Sequence, residues 1–199
     1  MRIIVGLGNP GQKFEKTRHN VGFWVLDEFK KKFQFPEFKI KSDFFSKITK
    51  KKIGKHNVIL LKPQTFMNDS GKAVQAIIEK RKLNPKNLIV VHDDLDIPFG
   101  KIKISVGKSS AGHKGVQSII EKIKNKDFIR VRVGINPECK QKIKIAEFVI
   151  EEFKEEEIKA LPHIIELTVK AIETILEEGV EKAMNKFNSS SVNNLGNER

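Results

Sequence analysis

The chain has 199 residues, 39% of them apolar, which suits one domain with a core of its own and excludes wholesale disorder. Its lysines and arginines leave a net charge of +13, a balance that favours a polyanionic partner, nucleic acid before membrane, over a merely lysine-coated surface. A lone cysteine, Cys139, excludes an internal disulfide and a thiolate metal cluster, and no apolar run nears the roughly 20 residues of a membrane helix.

Residues 2–7 form a short continuous apolar run closed by glycines, the pattern of a buried strand. The turn residues Gly8-Asn9-Pro10-Gly11 follow, with a loop to about Thr17. The three- and four-residue spacing of Val21, Trp24, Val25 and Phe29 predicts a helix from Asn20. Two strands, 43–50 and 57–62, are expected as a hairpin, and Asp69 or Ser70 starts a second helix through about Lys82.

Residues 88–92 carry the strongest strand signal and run into Asp93-Asp94-Leu95-Asp96. A strand over 101–106, a flexible segment over 107–112 and a helix around Val116–Ile123 come next. The alternation over 129–135 predicts a strand with Arg130 and Arg132 on one face. An apolar stripe from Ile158 to Val180 predicts an amphipathic helix, with Pro162 expected to disturb its first turns. Residues 1–187 make one α/β domain with a mixed, mostly parallel twisted sheet and helices on both faces. Residues 188–199 are expected to be a disordered tail.

In such sheets ligands bind beyond the carboxyl ends of the strands. Asn9 and Asp93 fall at such ends, and His19 lies in the loop before the first helix. A histidine titrating near about pH 6.5 suits general-base chemistry, although a lone histidine also serves as a loop or capping residue. Asp93, Asp94, Asp96, His92 and His113 offer metal-ligand atoms without the spacing of a known metal motif. The glycines of 6–11 suggest a dinucleotide loop, but Pro10 and Gly11 break its spacing. No serine elbow is present, so a covalent route has little support.

Six segments together resemble the bacterial peptidyl-tRNA hydrolase family. They are Gly6–Gly11, Thr17-Arg18-His19-Asn20-Val21-Gly22, Lys62–Gly71, His92–Asp96, Gly112-His113-Lys114-Gly115 and Arg130–Ile135. They stand in family order from residue 2 to about 187. The resemblance implies a metal-independent, cofactor-free hydrolase that cleaves the ester between a peptide and tRNA. His19 then corresponds to the base that activates water, and Asp93 to the acid that orients its ring. Asn9, Phe14, Phe66, Asn68 and Lys114 correspond to substrate-binding positions, and Lys103 and Arg132 to a clamp on tRNA phosphate. The family commonly has tyrosine where this chain has Phe14, and asparagine where it has Lys114. A cytoplasmic monomer is expected, with peptidyl-tRNA as partner and neither DNA nor membrane. A non-catalytic, splicing-factor-like RNA-binding relative is the alternative, and intact His19, Asp93, Asn9 and Asn68 favour the enzyme.

Overall fold

The computed structural model describes residues 1–137 and 144–188. Its strands are β1 (Arg2–Gly6), β2 (Lys39–Lys41), β3 (Ser46–Ile53), β4 (His56–Pro63), β5 (Leu88–Pro98), β6 (Ile102–Val106) and β7 (Ile129–Asn136). They form one sheet in the order β2-β3-β4-β1-β5-β7-β6. The central strands β4, β1, β5 and β7 run parallel, while β3 and β6 run against their neighbours.

The helices are α1 (Val21–Lys32), α2 (Ser70–Arg81), α3 (Lys114–Ile123), α4 (Ile145–Phe148), α5 (Glu155–Glu177) and α6 (Val180–Phe187). Helices α1, α5 and α6 pack on one face, burying Val25, Phe29, Ile172 and Phe187 against Ile4, Leu60 and Val91. Helices α2 and α3 cover the other, where Val74, Ile77, Val116 and Ile119 meet Ile3, Val5, Leu61 and Val90. Neighbouring strand residues thus feed opposite cores, as the pleat requires, and both cores need apolar side chains. That is why β1 and the first half of β5 are apolar without alternation.

Several boundaries differ from the sequence-based expectation. Strand β5 does not end at His92 but continues through the acids to Pro98, paired to β7 with Asp93 opposite Val133 and Asp94 opposite Gly134. Backbone hydrogen bonds carry this ladder, so its polar side chains hid it from a hydrophobicity reading. The hairpin is displaced: β3 starts at Ser46, and the turn shrinks to Gly54 and Lys55, with Gly54 at φ +51°. A left-handed position in so tight a turn suits glycine. Strand β2 and helix α4 were not anticipated, being three and four residues long.

The C-terminal stripe is two helices, broken at Gly179 with φ +96°, and Pro162 lies inside the continuous α5. Asn188, assigned by its composition to the tail, completes the outer edge of β6. Its Oδ1 accepts from the Ile104 N–H at 2.7 Å, and its Nδ2 donates to the Ile104 carbonyl at 3.0 Å. The rest of the expected tail, 189–199, and Cys139 lie outside the described residues. Among the described residues no helix is long and apolar enough to cross a membrane.

Candidate active site

The carboxyl ends of β1 and β5 open into a cleft of about 730 Å³. Helix α1 starts against these strands with almost no separation: a Cβ on Gly22 would sit 2.5 Å from the Val91 carbonyl oxygen. The 3-10 turn Arg18–Asn20 leads into α1, so this close approach delivers His19 to the floor of the cleft.

His19 is buried, and its Nδ1 lies 2.9 Å from each oxygen of Asp93. A carboxylate only accepts, so Nδ1 carries the proton and Nε2 holds the free lone pair. A second histidine shares that carboxylate. His113 caps α3, its Nδ1 accepting from the N–H groups of Gly115 and Val116 at 3.1 and 3.2 Å. The proton of its neutral ring is therefore on Nε2, which donates to Asp93 Oδ1 at 3.0 Å. Burial pushes the Asp93 carboxyl up, but the positive charge that His19 or His113 carries when protonated, together with the hydrogen bonds of both rings, outweighs it and holds it well below the usual carboxylate range. His92, fully buried, donates from Nδ1 to the Asp93 carbonyl and packs edge-on against His113. Burial first, and His113 second, push its pKa well below the ordinary value.

Asn9 is fixed by two neighbours. It exchanges backbone–side-chain hydrogen bonds with Asn20, and its Oδ1 accepts from the Met67 N–H at 2.8 Å. That leaves Nδ2 as its donor on the cleft side. Asn68 follows on the 3-10 turn Met67–Asp69, and Phe14 and Phe66 meet edge to face with ring centroids 6.4 Å apart. Phe66 is 61% exposed, a large apolar surface held open at the rim. Lys114, the first residue of α3, lies at the same rim. His19, Asp93, Asn9, Phe14, Phe66, Asn68 and Lys114 thus all line one cleft.

Lys103 and Arg132 do not line it. They are cross-strand partners on β6 and β7. Lys103 is exposed, whereas Arg132 donates from Nε to Asp94 at 2.7 Å and has its Nη2 3.7 Å from Asp96. Asp94 and Asp96 are thereby drawn from the acidic cluster that suggested a metal, and His92 is turned toward a carbonyl. The grouping with metal-ligand spacing among the described residues is His19, Asp93 and His113. Both rings there donate N–H to the carboxylate, so a cation would have to displace both protons.

Sequence reasoning missed an apolar wall of the cleft. Ile145, Val149 and Ile150 line it, with Ile145 63% exposed. This segment is docked on the turn that carries His19: the His19 N–H donates to the Val149 carbonyl at 2.8 Å, and that of Arg18 to the Glu151 carbonyl at 3.1 Å. Arg18 is buried, bonded to Glu157 at 2.7 Å and stacked 4.1 Å from the Phe148 ring. A contact across some 130 residues leaves no local sequence pattern. The role of His113 had a faint signal, a histidine immediately before an apolar helix.

The family model described as peptidyl-tRNA hydrolase matches residues 3–195. The chain is 46% identical over 190 residues to a peptidyl-tRNA hydrolase of Thermodesulfovibrio yellowstonii, covering 94% of this chain and 99% of that one. It is 44% identical to one from Finegoldia magna, covering 96% and 100%. The crystal structure of peptidyl-tRNA hydrolase from Acinetobacter baumannii superposes with a TM-score of 0.89 at 30% identity, covering 96% of each chain. Fold and sequence agree: this chain belongs to the peptidyl-tRNA hydrolase family.

Proposed function

We propose that this enzyme hydrolyses the ester joining a peptide to the 3′ end of tRNA and so returns tRNA to use, acting as a cytoplasmic monomer. The observation that carries the reading is the Asp93–His19 pair, which leaves a basic Nε2 on the floor of a cleft in a member of this family. In the reaction, Nε2 of His19 takes a proton from a water as that water attacks the ester carbonyl. Asp93 steadies the imidazolium that forms. The same proton then goes to the departing ribose oxygen, so the base is regenerated at each turnover.

Nδ2 of Asn9 donates to an oxygen of the peptide portion, and Asn68, Phe14 and Phe66 hold the acyl part against the apolar wall. Holding water and ester together supplies much of the rate, because an ester has a good leaving group. Phe14 has no hydroxyl, so it contributes packing without a hydrogen bond. Lys114, and Lys103 with Arg132 further out, face RNA phosphate.

Purified, chelator-treated protein should release N-blocked peptide from peptidyl-tRNA, and His19→Ala should not. Tight tRNA binding with no release by the unmodified protein would support the splicing-factor-like alternative instead.

A further inference from the structure

We propose that the opposite end of the sheet carries a second, non-catalytic RNA-backbone site, formed by Lys50 and Lys52 on β3 with Arg81 at the end of α2. These three residues line a groove of about 410 Å³ together with Met1, Lys51, Asn57, Val58 and Ile59. The inference rests on the enzyme's acting on an RNA-linked substrate.

Position comes first. Lys50 and Lys52 pair with Ile59 and Asn57, at the amino end of β4, beside Val58, the partner of Arg2 at the start of β1. The catalytic cleft lies beyond the carboxyl ends of β1 and β5, so the length of the sheet separates the two. Lys50 and Lys52 share their strand face with Ile48, which packs on the α2–α3 core. Arg81 ends the helix on that face. Lys51 also lines the groove, but its ammonium is committed elsewhere, donating to the carbonyls of Phe33 and Gln34 beyond α1.

Charge comes second. Lys50, Lys52 and Arg81 are exposed and make no ion pair with any described residue, and no described acid lines the groove. Two side chains on one strand face stand about 7 Å apart, a spacing that lets both reach one polyanionic backbone. Two simpler explanations cover parts of this. Strand β2 pairs only with Ser46–Ile48, so the rest of β3 is a free edge, and lysines keep such edges from pairing with other chains. Arg81 complements the carbonyl end of its helix. Neither explains why three unpaired cations from two elements converge on one groove.

The test is the triple variant Lys50→Gln/Lys52→Gln/Arg81→Gln in the full chain. Its control is Lys159→Gln/Lys170→Gln/Lys182→Gln, which removes as many charges from α5 and α6. Fluorescence anisotropy reads binding of a blunt RNA hairpin without a 3′ overhang across a salt series, and unfolding midpoints check that both variants fold. Each phosphate contact contributes about 0.7–0.9 to the slope of log K against log salt. The groove variant should be shallower by about 2 and the control nearly unchanged, with hydrolysis of a short CCA-ended ester kept by both.

An unchanged slope in the groove variant, or an equal loss in the control, overturns the site. So does loss of binding to anionic vesicles with the hairpin unaffected, which would make the surface a membrane contact. Aggregation of the groove variant with full hairpin binding would leave edge protection as the whole account. If the unmodified protein cleaves no ester but the variant still loses the hairpin, the catalytic reading fails and this one stands.

Discussion

His19 and His113 donate to the same oxygen of Asp93, at 2.9 and 3.0 Å, with their rings 4.9 Å apart. One carboxylate therefore fixes the His19 imidazole while α3, through His113, fixes the carboxylate. His19→Ala should lower kcat by about 10²–10⁴-fold with tRNA affinity retained. Asp93→Asn should cost less, about 10²-fold, because an amide offers one acceptor to two N–H donors and the His19 ring loses its orientation. Steady-state kinetics on peptidyl-tRNA check both.

His113→Ala removes one charge-assisted hydrogen bond from Asp93 and two capping bonds from α3. A kcat about tenfold lower with little change in KM is expected. An unchanged kcat would confine His113 to the helix cap. Chelator treatment should leave turnover intact; a loss restored by a divalent ion would instead assign the His19–Asp93–His113 grouping to a metal.

In the proposed reaction, Asn9 sets selectivity through the one group it has free. Its Oδ1 is committed to the Met67 N–H, so the cleft receives a neutral donor and no negative charge. Asn9→Asp keeps the acceptor but replaces the donor with a carboxylate, which favours the ammonium of unblocked aminoacyl-tRNA. The ratio of kcat/KM for blocked over unblocked substrate should fall. A constant ratio would leave Asn9 a residue of the turn alone. Asn9→Ala strands a buried N–H and should cost about 1–3 kcal/mol of stability.

The buried His92 makes stability depend on pH. Its folded pKa is lowered, so below about pH 6.5 the unfolded chain holds a proton the folded one refuses. Its contribution is therefore fully present above that pH and is lost as pH falls. The loss reaches about 1.4 kcal/mol per pH unit. Denaturant titrations at pH 7.5, 6 and 5 should show this fall, and His92→Asn, which keeps a donor for the Asp93 carbonyl, should reduce it.

Arg132, proposed to meet tRNA phosphate, shares its charge with a buried acid. Its side chain is only 12% exposed and bonds the buried Asp94. Arg132→Ala should destabilise by about 3 kcal/mol, because it strands a buried carboxylate, as well as flatten the salt dependence of tRNA binding. Lys103→Ala, exposed and without such a bond, should flatten the slope by about one contact at little cost in stability. Thermal unfolding beside salt-dependent binding separates the two effects.

The sequence by itself determined the α/β class, the two-sided burial of β1 and of the first half of β5, and the place of His19 just before the first helix. Those features are local: a run of β-branched residues, a turn of glycines, a helix spaced by threes and fours. It also carried the family, because six short segments stand in order. What required the tertiary structure was every contact made across the chain. That Asp93 lies within β5 was hidden because backbone ladder bonds ignore side-chain polarity. That Asn9 offers only Nδ2 depends on Met67, 58 positions away. The apolar wall of Ile145–Ile150 reaches the cleft where Arg18 and His19 bind it, and the sharing of Asp93 by two histidines joins positions 19, 93 and 113. Hydrogen bonds of this kind are specified by three-dimensional distance, and distance is what a linear pattern does not encode.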